Sequence, residues 1–338
     1  MKHYLTSFLC LLAILVPASC TRDNKPQPEV TSYTSVMPAD AYLMAKVQVQ
    51  QLLDKSQLQA DDNARGALSQ MLGTVLDDNE LLQLMLDDPQ SCGIDWQQPL
   101  LVAVDDLQRA TGVLSMAVSD TTVLSNFLRS NNLPRMRFDE RKLVVSLNPR
   151  LPDVSRYLSL DDSLRADLSL DYSDFFAAPQ DVALYYSSSS ALEASALLPD
   201  PSHQDIPELR EQAIGAHGLL TLDFGLGHIT LTNQIEGSPE FAAYLSRQLQ
   251  ANLLGQTSQH DGHTRLDLLA SLRLMLRQGD NYEALLYVGL LDELYLDFED
   301  RGPVQLHVGL KDKSCNALQA LTSLMRDDDD NEDDDYDF

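Results

Sequence analysis

The chain has few cysteines and few basic residues, and each shortage excludes a class of protein. Four Cys in 338 residues are too few for a disulfide-stapled scaffold. Lys and Arg number 24 against 51 Asp and Glu, a net charge of −27, and this lack of clustered cations argues against binding DNA or RNA. Hydrophobic residues make up 44% of the chain, so a packed core can form and a wholly disordered chain is excluded.

The first twenty residues predict export and a lipid anchor. A short charged start precedes an apolar stretch from Leu5 to Val16, which is too short to span a bilayer but is typical of a secretory signal. Ala18-Ser19-Cys20 then fits a bacterial lipobox, although Pro17 stands where Leu is usual. We expect a signal peptide over 1–19 and membrane anchoring through acyl chains on Cys20. Ordinary signal cleavage after Ala18 is the alternative.

The mature chain divides by composition into a tether, two structured regions and a tail. Residues 20–35 are polar, contain two prolines and show no apolar periodicity, which predicts an extended, lipid-anchored tether. We predict a first domain over 36–150 and a second region, with a further partial repeat, over 151–326. Residues 327–338 (DDDDNEDDDYDF) carry nine carboxylates, whose mutual repulsion predicts a disordered tail.

Apolar hairpins followed by amphipathic helices recur three times along the body. The offsets from hairpin turn to predicted helix cap are similar, which indicates internal repetition. We therefore predict an α+β fold of repeated strand-helix-hairpin-helix units, with antiparallel sheets that carry helices on one face. The other face should be wet or should meet a partner. The turn and cap pairs are Asp105 and Asp120, Gly225 and Ser238, and Asp300 and Ser314.

Residues 131–180 are harder to place in this scheme. Leu143, Val145 and Leu147 alternate and predict one strand. The aromatic segment Tyr172–Phe176 is expected to plug a gap between the two halves. We place a soft domain boundary here.

Two segments in the first third of the chain carry a family resemblance. One is Ser35-Val-Met-Pro-Ala-Asp-Ala41, followed by a strand and Leu52-Leu53-Asp54-Lys55-Ser56. The other is Asp87-Asp88-Pro89 with Gly93-Ile94-Asp95 and Pro99. Together they resemble a family of Bacteroidota-type envelope lipoproteins that is defined only as a domain of unknown function. The resemblance is best over about residues 30–130, and it implies an envelope location and a repeated α+β body but no activity and no catalytic residue.

Three histidines lie on polar strand faces by alternation. His217 shares a face with Thr221, and His228 shares one with Thr230. His307 alternates in the last hairpin in the same way. With the turn at 225–227, His217 should lie opposite the far end of the partner strand and not opposite His228. We interpret all three as exposed sheet histidines rather than ligands.

The short segment His260-Asp261-Gly262-His263 is the only cluster with metal-like ligands. A structural zinc site needs four ligands and no Cys is near, so we predict no metal site and no cofactor. Thr264 is instead expected to cap the next helix, with Asp267 completing a capping-box-like pair.

Cys92 and Cys315 are the two thiols left after the signal and the lipid anchor. They could form a disulfide in an oxidising envelope, or they could remain two unlinked or buried thiols. Cys315 at a helix start could also be a reactive thiol. A catalytic Cys lacks the His and Asn context that it needs, and no G-x-S-x-G motif is present. We predict no catalytic residue.

Three hypotheses for function follow from these patterns. The leading one is a non-enzymatic envelope protein, anchored to a bacterial membrane (the outer membrane) through Cys20, that binds a protein or glycan through its open sheet face or the cleft between its halves. The alternative is an envelope hydrolase with its site in that cleft or in 131–180. The third is a surface protein that binds cations through its acidic tail.

Overall fold

Twelve strands form one antiparallel sheet in the order β4-β5-β3-β2-β1-β6-β7-β8-β12-β11-β10-β9. The computed structural model describes residues 33–56, 85, 91–106, 111–131, 137–139, 141–148, 153–187, 216–236, 256–260, 263–278, 282–299 and 303–321. The strands are β1 Leu43–Val47, β2 Leu100–Asp106, β3 Thr111–Ala117, β4 Arg137–Phe138, β5 Lys142–Ser146, β6 Val182–Ser187, β7 His217–Gly225, β8 His228–Glu236, β9 Gln256–His260, β10 His263–Asp267, β11 Leu291–Glu299 and β12 Val304–Leu310. The helices are α1 Val49–Ser56, α2 Thr121–Ser130, α3 Ser155–Leu158, α4 Ser173–Ala177, α5 Leu269–Gln278 and α6 Tyr282–Gly289.

The predicted fold class is wrong. The strands do not form repeated strand-helix-hairpin-helix units, because they all join one continuous sheet with short helices. The described hairpins are joined into one sheet because their edge strands pair with one another. β1 pairs with β6, and β8 pairs with β12.

The first half of the sheet is buried on both faces. On one face, α1, α2 and the 91–96 segment pack on alternate residues of β3 and β5, such as Leu114 and Leu143. On the other face, neighbouring residues such as Val113 and Val144 contact the segments 33–41 and 153–180. The strand Leu100–Val104 is apolar at every position, as a strand covered on both sides should be.

The segment 153–180 covers the face that the sequence predicted to be wet. Its 3-10 turns and short helices lie against β1, β3 and β6, and Phe175 is 1% exposed. Thr34 donates to the buried Asp167 at 2.7 Å, and this bond joins the cover to the beginning of the described chain. The expectation that Tyr172–Phe176 plugs a gap between halves is replaced by a cover on one face, because β1 and β6 pair directly.

The second half of the sheet alternates between a buried and a half-exposed face. In β8, Leu231, Asn233 and Ile235 are buried while the residues between them are half-exposed. The buried side continues across β12, β11 and β10 in a small core that includes Phe298 and Leu266. β8 therefore shows the period of two that marks a strand with one covered face, while Thr221 of β7 is buried on the opposite face.

Two of the predicted helix caps lie elsewhere in the structure. Asp120 caps α2 as predicted, because its carboxylate accepts from the N–H groups of Thr122 and Val123. The last helix is capped by Asn316, which accepts from the Leu318 N–H at 2.9 Å, and not by Ser314. Ser314 instead binds the Asp312 carboxylate in a local turn.

The cap predicted at Thr264 is also wrong. Thr264 lies inside β10, and the Asp267 carboxylate accepts from the Leu269 N–H at 3.0 Å as α5 begins. The predicted cap at Ser238 lies outside the described residues.

Several sequence predictions fall outside the described residues. They are the signal peptide, the anchor Cys20, most of the tether and the acidic tail. In the part of the chain that is described, none of the helices combines the length and apolar character needed to cross a membrane.

Candidate functional site

One face of five adjacent strands is built mainly of polar side chains, and among its described residues only Thr221 is buried, at 8% exposed. It is the face of β7, β8, β12, β11 and β10 opposite the small core, and we call it the polar face. Its register places side chains from neighbouring strands next to one another. The polar face consists of His217, Leu219, Thr221, Asp223, His228, Thr230, Thr232, Gln234, Glu236, His263, Arg265, Asp267, Glu293, Tyr295, Asp297, Gln305 and His307.

The prediction of polar-face histidines is confirmed by the register. His217 pairs with Glu236 at the far end of β8, and His228 pairs with Gly225 beside the turn. Thr230 pairs with His307, so all three histidines share one face. Of the three, only His228 is exposed, because the His217 and His307 rings are each stacked on a tyrosine.

A three-membered stack crosses β10, β11 and β12. The Arg265 guanidinium lies 3.6 Å from the centroid of the Tyr295 ring. On the other side of that ring, His307 stacks at 4.7 Å, and its Nε2 lies 3.1 Å from the Gln305 Oε1. Burial lowers the pKa of His307 and raises that of Tyr295 above their ordinary values, so neutral His307 and Tyr295 face the single cation. The stack holds the three groups in one geometry.

A second stack marks the place where the cover of the first half ends. The Tyr185 ring, which is buried, contacts Tyr172 of the cover at 4.6 Å. Its other neighbour is His217, stacked at 5.4 Å. His217 Nε2 also lies 3.5 Å from Glu236 Oε2, an ion pair when the ring is protonated. The polar face is thus fixed at this boundary to the rigid first half.

Carboxylates outnumber cations on the polar face. Five described carboxylates share it with one arginine; Lys55 pairs with Asp223 at 2.9 Å, and Asp297 lies 3.3 Å from His263 Nδ1. The excess produces a negative potential over the face. The five are Asp223, Glu236, Asp267, Glu293 and Asp297.

A small polar cavity lies at the α5 end of this face. Its volume is about 220 Å³, and its lining includes Arg265, Asp267, Asp292, Glu293 and Tyr295. A β-bulge between Leu291 and Glu293 breaks the register of β11 beside it. Bulges commonly redirect side chains at such positions, and this one places Asp292 in the lining.

Sequence reasoning missed a buried carboxylate where β1 and β7 end and β6 begins. Asp181 is fully buried, and its Oδ2 accepts from Lys55 Nζ at 2.7 Å and from the Phe224 N–H at 2.8 Å. Lys55 also donates to Asp223 at 2.9 Å. Burial raises the pKa of Asp181, although Lys55 opposes the shift. Burial would lower the pKa of Lys55, but the two carboxylates outweigh it and raise that pKa. The cluster fastens α1 to the sheet.

Lys46 is a second buried charge that alternation alone would have left in water. It lies on β1 under the cover, 5% exposed, and donates to the carbonyls of Phe176 and Ala178, the latter at 2.8 Å. Burial lowers its pKa from 10.5 to about 8. Because the acceptors are carbonyls at the end of α4, Lys46 acts as a C-terminal cap for that helix.

The alternative hypothesis placed a hydrolase site in the region 131–180, and in its described part Arg156 and Tyr157 contact the sheet. Tyr157 and Arg156 both bind the Asp105 carboxylate, which joins the cover to β2. Burial raises the pKa of Tyr157 to about 12, so it remains a neutral hydrogen-bond donor. Among the described residues no group of three metal-ligating side chains is close enough to hold an ion.

Cys92 and Cys315 are not linked to each other in the structure. Cys92 is buried next to Val118 and β3, and Cys315 lies beside the β7–β8 turn, where its carbonyl accepts from the Gly227 N–H. Four strand steps separate β3 from β7, about 19 Å at about 4.8 Å per step. A disulfide needs Cα atoms within about 7 Å, so this spacing weighs against the pairing. The Cys92–Cys315 disulfide remains a prediction, which an assay of the free thiols of the protein would test.

Comparison with known proteins finds one similarity. Residues 33–137 match the model of a domain of unknown function, DUF4836. The match lies in the region where the sequence resemblance is strongest and covers β1 to the start of β4, which is the doubly covered part of the sheet. The comparisons found no match among curated proteins and none among solved structures. The polar face lies outside the matched residues.

Proposed function

We propose that this chain is a non-enzymatic protein of the bacterial cell envelope that is anchored to a membrane through lipid on Cys20 and binds a protein partner through its polar face. One observation carries the binding half of this proposal. The polar face stays largely half-exposed across five strands, while β3, β2, β1 and β6 of the same sheet are covered on both faces. The anchoring half depends on the lipobox-like pattern Ala18-Ser19-Cys20.

The stacks favour a protein over a glycan. Sugar rings are commonly held against a free aromatic face. Here both sides of the Tyr295 ring are occupied, by Arg265 and by His307. Tyr185 is buried between Tyr172 and His217. Because these rings have no free face, the surface offers ring edges, hydroxyls and charges, and such groups suit the mixed polar surface of a protein.

The charge of the polar face defines the partner further. With Lys55 paired to Asp223, four carboxylates remain against one arginine, and this excess favours a partner with a basic surface, because opposite potentials speed association and like charges oppose it. Part of the face is fixed before any partner arrives, since the stacks and the His217–Glu236 pair immobilise its side chains. Less side-chain entropy is then lost on binding.

The test is an affinity isolation of the tagged protein from its native envelope in mild detergent. We compare wild type with Cys20→Ala and with a double variant of the polar face, Thr230→Lys with Glu293→Lys. A matched control, Ser159→Lys with Asp161→Lys, makes the same charge change at exposed positions on the other half of the sheet.

The expected result is a stoichiometric protein that wild type and the control retain and the polar-face variant loses. Cys20→Ala should leave the membrane fraction. Equal recovery by both double variants would contradict the binding proposal, and an unchanged membrane fraction for Cys20→Ala would contradict the anchor. A partner that a glycosidase releases would favour a glycan instead.

A further inference from the structure

The small cavity at the α5 end of the polar face contains Arg265, whose hydrogen-bonding groups no described residue uses. No described residue accepts a hydrogen bond from Arg265 or forms an ion pair with it, and its Nε is buried. The Cζ atom of its guanidinium lies over the Tyr295 ring, 3.6 Å from the ring centroid. A buried donor without an acceptor is uncommon in a folded protein, and such a donor calls for an explanation.

Stacking makes this arginine ready to bind an anion. A guanidinium that lies on an aromatic ring keeps its N–H groups in the plane parallel to the ring, where they remain open to a ligand. His307 behind Tyr295, held in turn by Gln305, supports the stack from the far side. A carboxylate matches the guanidinium edge with two parallel hydrogen bonds.

The neighbouring acids restrict the charge of the ligand. Asp267, Asp292 and Glu293 line the same cavity, and a dianionic phosphate would meet their repulsion. Lys313 neutralises Asp292 at 3.0 Å, and the Leu269 N–H occupies one oxygen of Asp267. The second Asp267 oxygen and the exposed Glu293 are therefore open to a cationic group placed next to the carboxylate.

We propose that this cavity binds a free α-amino acid, with its carboxylate on Arg265 and its ammonium group towards Asp267 and Glu293. The volume of about 220 Å³ suits this ligand, because drug-sized molecules occupy cavities of about 300–1,000 Å³. The inference goes beyond the proposed function, since a small ligand can fill the cavity whether or not a protein docks on the polar face.

The test is isothermal calorimetry of the purified protein with glycine, L-alanine, L-lysine, acetate, methylammonium and inorganic phosphate, each up to about 10 mM. We expect at least one amino acid to bind with a Kd at or below about 1 mM. Acetate and methylammonium, which each supply only one of the two charges, should bind about tenfold more weakly.

Variants separate the role of Arg265 from the general charge of the protein. Arg265→Gln should weaken amino-acid binding by about tenfold or more, because it removes the charged fork. Arg277→Gln, the same change at an exposed position on α5, should stay within about twofold of wild type. Glu293→Gln, at an exposed side chain that should not affect folding, should weaken amino acids without weakening acetate.

Three results would overturn the proposal: no heat with any amino acid, equal binding by Arg265→Gln and wild type, or tighter binding of phosphate than of every amino acid. Urea unfolding of each variant verifies that it is folded. Affinity isolation measures partner binding separately, so the two proposals can fail independently.

Discussion

Lys46 gives the stability of this protein a pH dependence whose sign follows from its surroundings. The side chain is 5% exposed, binds only main-chain carbonyls, and meets no carboxylate among the described residues. Burial lowers its pKa from 10.5 to about 8. Between these two values the unfolded chain holds more protons on this lysine than the folded chain does. The free energy of unfolding should therefore rise with pH across this window.

The size of the effect follows from the shift. Lowering the pKa from 10.5 to about 8 corresponds to about 3 kcal/mol between the two protonation states. Between about pH 7 and about pH 9.5, the free energy of unfolding should rise by roughly 2 kcal/mol as the buried Lys46 loses its charge. Tyrosines titrate near the upper end of the range, so the term must be isolated by comparison with a variant that lacks Lys46.

The assay is urea unfolding of wild type and Lys46→Met at several pH values across that window. Methionine keeps the length of the chain and removes the titrating group. The difference between the two free energies of unfolding should move by about 2 kcal/mol in favour of wild type as the pH rises. Lys311→Met controls for the loss of one surface charge. A constant difference, or one that moves the other way, would refute the buried-lysine argument.

Three further predictions concern stability and are measured by chemical unfolding. Asp181→Ala should lower the free energy of unfolding by about 3 kcal/mol, because it leaves Lys55 without its buried partner. Asp223→Ala should lower it by less than about 1 kcal/mol, because the Asp223 side chain is 41% exposed. Equal losses for the two variants would contradict the argument that burial makes Asp181 the more important partner. Gly227→Ala should cost about 1 kcal/mol or more, since its φ is +63° and a Cβ would lie 2.6 Å from a neighbouring backbone atom. Gly289→Ala, with open space around it, should be neutral or stabilising, and the opposite order would show that the turn is not constrained. Asn316→Ala should cost about 1 kcal/mol as a lost cap, and no loss would argue against that cap.

Local structure was predictable where one physical rule dominated. Alternation located the β7–β8 hairpin and put His217, His228 and His307 on one face, because the side-chain period of a strand is fixed. The cap at Asp120 was predictable because aspartate is a preferred residue before the first turn of a helix, where its carboxylate accepts from the free N–H groups. These features depend on neighbours in the sequence.

The sheet order was not predictable, because it depends on edges that are far apart in the sequence. The pairings of β1 with β6 and of β8 with β12 join segments whose patterns carry no partner information. One available signal was missed: the unbroken apolar run Leu100–Val104 indicated burial on both faces and argued against an open face there. The cover itself, over 153–180, is made of short turns that lack periodicity.

The polar face was only partly predictable. Its histidines followed from alternation, but the Arg265–Tyr295–His307 stack depends on the β10–β11–β12 register. The β9–β10 hairpin was missed because His260-Asp261-Gly262-His263 was interpreted as a loop before a helix cap. Gln256–His260 and His263–Asp267 are polar strands with weak alternation, and pairing with β11 decides their conformation.

The most direct test of the account is photo-crosslinking in intact cells at single positions. A photoreactive side chain replaces Thr230 or Glu293 on the polar face, and in parallel Ser159 or Asp161 on the half of the sheet that carries its own cover. We expect the two polar-face positions to form an adduct with one and the same protein and the other two positions to form none. An adduct only at the control positions, or none at the polar face, would contradict the claim that this face binds a partner.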